Sequence, residues 1–238
     1  MQSRNSKRVL NAGCGAAGSD RLHVGFRGEG WSEVRLDIDP RTAPDFVGSI
    51  SDMRGIVPDA SFDAVFSSHS IEHLHAHEVA PAFREFRRVL KPGGFALITC
   101  PDLGAIARLL ARQDLESVVY VSPAGPVKVL DMLYGHGPSI AEGRVLMAHN
   151  TGFTDERLGR VAIESGFAEA RVMAGETFDL WAVLLTPNAA VADISPLFEG
   201  TNVAPLFSSP AASENRESGP LVKSNAAARA GRPVFANS

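Results

Sequence analysis

The chain has 238 residues, of which 45% are hydrophobic, and its formal net charge is -4. This length fits one domain with a substantial core. The charges are spread out without a basic cluster, which speaks against nucleic acid as a partner. No apolar stretch reaches the roughly 18 residues of a membrane span, and no secretory signal is evident. The cysteines, Cys14 and Cys100, have no metal-ligand spacing. We therefore expect a cytoplasmic protein with no membrane or nucleic-acid partner.

Short apolar runs alternate with helix-like segments in the first hundred residues. Buried strands are predicted at residues 8–12, 34–37, 62–67 and 95–100. A helix is predicted over residues 73–90, and a Lys-Pro-Gly-Gly sequence at residues 91–94 ends it with a turn. This alternation predicts a mostly parallel sheet with helices on both faces.

The second half of the chain is less regular. Helices are predicted at residues 105–112 and 155–165, and a β-hairpin at 168–173 and 178–185. Between the helices lies a stretch rich in glycine and proline. We interpret residues 1–187 as one domain with an insert at about 114–152. Residues 188–238 are rich in Ala, Ser, Asn and Pro, so we predict a disordered, low-complexity tail with at most a short docked piece at 194–198.

A glycine-rich loop follows the first predicted strand. It contains Gly13, Cys14, Gly15 and Gly18, and Asp37 ends the next strand. Glycines let the backbone turn tightly and approach a ligand, and a carboxylate placed like Asp37 can accept hydrogen bonds from ribose hydroxyls. Both NAD and S-adenosylmethionine offer such a ribose. Three glycines soon after Gly18 make a poor helix, which speaks against the pyrophosphate of NAD.

Five blocks of sequence, in order and at the right spacing, resemble class I S-adenosylmethionine-dependent methyltransferases. The blocks are LNAGCG at 10–15, LDIDP at 36–40, PDASFDAV at 58–65, SSHSIEHL at 67–74 and RVLKPGG at 88–94. The resemblance implies a Rossmann-like, doubly wound α/β fold. Its sheet would have seven mostly parallel strands with an antiparallel last strand, and helices on both faces. The implied cofactor is S-adenosylmethionine.

The resemblance also implies roles for residues of the glycine loop and the second strand. Gly13, Cys14 and Gly15 would face the methionine end of the cofactor, and Asp37 would hold its ribose. Asn11 stands where an acidic residue is commoner, and its amide would hydrogen-bond the cofactor's ammonium or the loop backbone.

Further cofactor contacts are implied after the third and fourth strands. Members of the family often have Asp at the position of Ser49, so Ile50 and Asp52 are the expected neighbours of the adenine. Ser67 and Ser68 would line the floor beneath the methionine.

Histidines are the candidate proton acceptors of a methyl transfer. The cofactor carries the activated methyl group, so the protein positions the acceptor and, where needed, removes its proton. A nearly neutral imidazole suits that task. His69 follows the fourth strand, and His136 and His149 lie in the insert, which commonly covers the acceptor site in this fold. These are the three predicted catalytic residues.

A metal centre is not expected from the sequence. Glu72 with His73, His75 and His77 resembles a ligand cluster, but within one helix only His73 and His77 share a face, and no third ligand is evident.

The function expected from the sequence is methyl transfer from S-adenosylmethionine to an unidentified small molecule. A catalytically inactive S-adenosylmethionine-binding regulatory protein and an NAD-dependent oxidoreductase remain as alternatives.

Overall fold

The structure is a computed structural model that describes residues 6–16, 22–208 and 222–223. Within these residues the chain forms ten strands. They are β1 (Lys7–Ala12), β2 (Trp31–Asp37), β3 (Phe46–Val47), β4 (Phe62–Ser68), β5 (Leu90–Pro101), β6 (Val118–Ser122), β7 (Gly125–Lys128), β8 (Glu169–Ala174), β9 (Asp179–Leu185) and β10 (Val222–Lys223).

The central sheet has the strand order β3-β2-β1-β4-β5-β9-β8-β10. Strands β1 to β5 pair in parallel, and β9 runs antiparallel between β5 and β8. The predicted sheet of seven mostly parallel strands with an antiparallel last strand is therefore confirmed. The two-residue strand β10 adds an antiparallel pairing at the outer edge of β8. Strands β6 and β7 form a separate hairpin within the insert.

Six α-helices lie within the described residues, with short 3₁₀ turns between elements. The helices are α1 (Val79–Val89), α2 (Leu103–Leu110), α3 (Val129–Tyr134), α4 (Gly137–Ala141), α5 (Asp155–Glu164) and α6 (Val191–Ile194). Side chains cap two of them: Asp102 accepts from the backbone of Ala105 at 3.0 Å, and Thr154 accepts from that of Arg157 at 3.2 Å. Among the described residues, no helix is both long and apolar enough to cross a membrane.

The helix predicted over residues 73–90 begins later than expected. Residues Ile71–His73 form a 3₁₀ turn, which the extended backbone of Leu74 ends, and α1 starts at Val79. The turn predicted at residues 91–94 lies inside β5, where the pairing with β4 shifts register. Gly93, at φ 81°, takes the left-handed conformation that such an irregularity needs.

The sheet separates two hydrophobic cores. Side chains of β4 and β5 alternate between them, with Val65 and Ile98 on one face and Phe66 and Leu97 on the other. Helices α1 and α5 cover the first face. The second face is covered by the 3₁₀ turn Val24–Phe26 and by the segment that follows β9.

The prediction of a disordered tail from residue 188 onward does not hold for residues 188–208. This segment forms α6 and two 3₁₀ helices, Ser195–Phe198 and Ala204–Phe207. Phe198 is fully buried on the second face. Short 3₁₀ turns produce no sustained apolar period in the sequence, so the sequence pattern did not indicate that this segment is ordered. Residues 209–221 and 224–238 of the predicted tail lie outside the described residues.

Candidate cofactor and acceptor site

A cavity of about 950 Å³ opens at the carboxyl ends of β1, β2 and β4. Strand order reverses between β1 and β4, and open α/β sheets bind ligands at such a switch point. The glycine loop, the end of β2 and the residues after β4 form one side of the cavity. Residues 142 and 144–147, from the insert, form the other. The volume is large enough for a nucleotide-sized ligand together with a small molecule.

The glycine loop is folded tightly over the edge of β2. Gly13 and Cys14 donate their backbone N–H groups to the carbonyl of Leu36, at 2.8 and 3.1 Å. Gly13 has φ 77°, and an added Cβ would lie 2.6 Å from the Cβ of Ser70. The loop therefore needs glycine at this position for both its conformation and its packing. Ser70, which the sequence did not single out, donates its hydroxyl to the Gly13 carbonyl at 3.2 Å.

Asp37 lies at the end of β2 on the cavity wall, as predicted for a ribose-binding carboxylate. Its Oδ2 accepts from the backbone of Gly15 at 2.7 Å, and its Oδ1 accepts from that of Asp39 at 2.9 Å. Arg35 donates to the Gly15 carbonyl at 2.6 Å. A carboxylate has about four acceptor positions, so Asp37 can fix the loop and still accept from a ligand.

Of the two residues expected near the adenine, only Ile50 lines the cavity, together with Gly48 and Ser49. The backbone of Asp52 bonds back to the Ser49 carbonyl at 3.2 Å, and its side chain forms an exposed ion pair with Arg54 at 2.8 Å. Hydrogen bonds from Arg54 lower the pKa of Asp52 to about 2. The structure thus places Asp52 outside the cavity wall because its carboxylate is directed to Arg54.

Four other predicted cofactor residues lie beneath or beside the wall rather than on it. Asn11 donates its amide to Glu33 at 2.6 Å. Cys14 is buried, and burial raises the pKa of its thiol. The hydroxyl of Ser67 is buried with no hydrogen-bond partner among the described residues, and the carbonyl of Ser68 accepts from Ser70. None of these four residues lines the cavity.

His69 faces the cavity and contacts a buried carboxylate. Its backbone has φ 48°, and its Nδ1 lies 3.2 Å from Oε1 of Glu72. Glu72 is 2% exposed. Burial raises the pKa of Glu72, but the hydrogen bond from His69 and the neighbouring imidazoles lower it further, so the net shift is downward. A carboxylate that accepts from Nδ1–H fixes the imidazole with Nε2 as its acceptor nitrogen.

The two histidines predicted in the insert do not line the cavity. His136 has its Nδ1 at 2.8 Å from the hydroxyl of Ser139, within the insert itself. His149 is half-buried, and burial lowers its pKa. Its ring lies 5.1 Å from that of His73, which does line the cavity.

Glu72, His73 and His149 lie together, each with a ligand-type atom within 4.8 Å of the others'. The sequence argument considered only residues 72–77 and did not include His149, because the insert returns the chain to the 3₁₀ turn from far along the sequence.

Comparison with known proteins agrees with this geometry. Residues 10–98 match the methyltransferase domain family. No curated protein sequence matches the chain. Among solved structures, a protein from Pyrococcus horikoshii OT3 is similar at 19% identity and a TM-score of 0.51, over 78% of this chain and 84% of that one. A SAM-dependent methyltransferase from Methanosarcina mazei is similar at 17% identity and a TM-score of 0.50, over 76% of this chain and 93% of that one.

Sheet order, cavity position and glycine loop together define a Rossmann-like α/β protein with a nucleotide-type site at its switch point. More particularly, residues 10–98 of the chain match the methyltransferase domain family, in agreement with the resemblance seen in the sequence.

Proposed function

We propose that the protein transfers a methyl group from S-adenosylmethionine to a small-molecule acceptor. The observation that carries the proposal is the bond from the Gly15 backbone to Asp37, at 2.7 Å, on the wall of the cavity. It sets a carboxylate and a glycine loop side by side, as the adenosine and methionine ends of this cofactor require.

The residues present fit the cofactor. Gly13 and Gly15 line the cavity and carry no side chain, so a ligand can approach the loop backbone closely. Asp37 supplies a charged acceptor for ribose hydroxyls, and Ile50 supplies an apolar surface for a base. The bound cofactor would supply a methyl group activated on a sulfonium.

The chain's own contribution is to enclose and orient the acceptor. Residues 144–147 of the insert close the cavity opposite the glycine loop. The volume of this cavity is that of a typical small-molecule site. His69 lies on the same wall with Nδ1 fixed by Glu72, so its Nε2 is the group that takes up the acceptor's proton.

The first experiment is isothermal titration of the protein with S-adenosylhomocysteine, with NAD in a parallel cell. We expect micromolar binding of S-adenosylhomocysteine and no heat from NAD. Binding of NAD alone would replace the proposal with the oxidoreductase alternative. Binding of S-adenosylhomocysteine without turnover on a broad acceptor panel would favour the regulatory alternative.

The base assignment is tested once an acceptor is found. His69→Gln should lower kcat by about 10²–10⁴-fold, the usual contribution of a general base, while the affinity for S-adenosylhomocysteine stays unchanged. His77→Gln is the matched control, since His77 is exposed and does not line the cavity. Equal kcat in the two variants would show that His69 is not the base.

A further inference from the structure

We propose that Glu72, His73 and His149 bind a divalent transition-metal ion in the wall of the cavity. One ligand-type atom of each residue lies within 4.8 Å of those of the other two. Tetrahedral ligands about 2.05 Å from a metal are roughly 3.4 Å apart, so small side-chain rotations complete the set. The cluster joins the 3₁₀ turn after β4 to the end of the insert.

The hydrogen bonds of the two imidazoles leave Nε2 of each ring as the nitrogen that can bind a metal. Nδ1 of His73 lies 3.0 Å from the carbonyl of Ala148, and Nδ1 of His149 lies 3.1 Å from that of Met132. A carbonyl only accepts, so both Nδ1 atoms carry the proton and both Nε2 atoms carry a lone pair. Ligand histidines in metal sites are held in the same way, by a carbonyl or carboxylate at the other ring nitrogen.

Glu72 is the observation that points to a missing ligand. The side chain is 2% exposed, and Oε1 contacts His69. Oε2 is buried and has no hydrogen-bond partner among the described residues. An unpartnered buried carboxylate oxygen is costly, and a cation bound to it would remove that cost.

Backbone contacts hold the two halves of the cluster together. Asn150 and Thr151 donate their backbone N–H groups to the carbonyl of Glu72, at 2.9 and 3.2 Å. The amide of Asn150 also donates to the carbonyl of His73, at 2.8 Å. The ligands are therefore brought into position by the fold before any ion binds, which lowers the ordering cost of binding.

The donor set selects the class of ion. Two imidazole nitrogens and one carboxylate suit Zn²⁺, Co²⁺ or Fe²⁺, whereas Mg²⁺ and Ca²⁺ prefer oxygen ligands. Three protein ligands also leave a coordination position open. His73 lines the cavity, so that position is accessible to a molecule bound there.

The role of the ion rests on the proposed function, although its binding does not. An acceptor oxygen coordinated at the open position would be polarised by the ion, which acts there as a Lewis acid. The site thus favours acceptors with a hydroxyl or similar oxygen donor.

The test is metal binding by the full chain after treatment with a chelator. Zn²⁺ is titrated calorimetrically, and Co²⁺ is followed by its visible absorption, which reports the number and type of its ligands. We expect one equivalent bound, and at least about tenfold weaker binding in both Glu72→Gln and His149→Gln. Circular dichroism checks that each variant is folded.

An exposed pair of histidines provides the matched control. His75 and His77 are stacked, with ring centroids 5.8 Å apart, and are the rival surface site for Zn²⁺. The double variant His75→Gln/His77→Gln should bind like the wild type.

Two outcomes overturn the proposal: a folded wild-type chain that binds no Zn²⁺, or binding that survives His149→Gln and disappears in the double variant. Titration with S-adenosylhomocysteine is run separately on the same metal-free samples. Binding of Zn²⁺ without binding of S-adenosylhomocysteine would support the metal site and contradict the proposed function. Binding of S-adenosylhomocysteine without binding of Zn²⁺ would support the proposed function and contradict the metal site.

Discussion

The imidazole of His23 donates from Nε2 to Oδ1 of Asn202, at 3.3 Å, and so joins residues 179 positions apart in the chain. The roles of the two atoms follow from the other ring nitrogen, since Nδ1 accepts from the backbone of Gly25 at 3.1 Å. This contact attaches the segment after β9 to the loop before β2, above the second hydrophobic core.

Removing this segment should destabilise the whole domain. A chain of residues 1–187 lacks Phe198, which is fully buried and stacks on Phe207 with ring centroids 4.9 Å apart. We expect a much lower melting temperature, or aggregation, for residues 1–187. A chain of residues 1–208 should melt closer to the full chain, because it keeps every described residue of both cores and, of the described strands, loses only β10. Equal melting of the two truncated chains would contradict the packing described for residues 188–208.

A single substitution tests the same packing. Phe198→Ala should lower the free energy of unfolding by about 3–5 kcal/mol, the usual cost of deleting a buried aromatic ring. Glu199→Ala, at the next and exposed position, is the control and should change it by less than about 0.5 kcal/mol. Urea denaturation measures both. A loss below about 1 kcal/mol in Phe198→Ala would show that the segment is only loosely attached.

His23 should make stability depend on pH. Burial lowers its pKa below the ordinary 6.5, while the hydrogen bond to Asn202 acts in the opposite direction. As the pH falls through 6.5, the unfolded chain takes up a proton that the folded chain does not. Stability is therefore lost from that pH down to the folded-state pKa. In His23→Gln, the difference between urea midpoints at pH 7.5 and 5.5 should be smaller than in the wild type; an unchanged difference would exclude this role.

Asp37 should contribute to cofactor affinity. Asp37→Ala removes a charged acceptor and should weaken binding of S-adenosylhomocysteine by about 1.5–3 kcal/mol. Asp59→Ala is the control, because Asp59 pairs with Arg88 away from the cavity. Calorimetric titration of both variants gives the comparison. Wild-type affinity in Asp37→Ala would show that the ribose is bound elsewhere.

The conformation of the glycine loop can be tested with alanine. Gly13→Ala places a Cβ against Ser70 at a positive φ and should cost about 2 kcal/mol or more. Gly28→Ala is the control, since no atom lies within 4 Å of its added Cβ and its φ is not left-handed. That change should be neutral or stabilise by up to about 1 kcal/mol. Similar melting temperatures for the two variants would contradict the loop geometry.

The sheet could be predicted because its strands are short apolar runs with a clear order. Likewise, Gly15 and Asp37 were predicted together from their spacing across one strand–loop–strand unit, and the structure joins them by a hydrogen bond. The two residues belong to consecutive elements of the chain, so their spacing in the sequence is enough to predict the contact.

Contacts made by the returning insert and the last segment could not be predicted. His73 and His149 are in contact because the insert folds back onto the 3₁₀ turn after β4. The periodicity of the sequence does not predict this contact. Phe198 lies within the short docked piece allowed at 194–198, but its 3₁₀ turn is too short for a sequence pattern to predict what it packs against. Asp52 was expected at the cavity from its position after β3, but a local ion pair with Arg54 directs it away.

The docking of residues 188–208 also determines when the protein can fold during synthesis. Phe26 packs against Phe198, and Phe66 belongs to the same second core. Until residue 198 has left the ribosome, that face of the sheet stays open to water. Most of the chain must therefore be made before the domain closes, and the nascent sheet presents an apolar surface of the kind that chaperones bind.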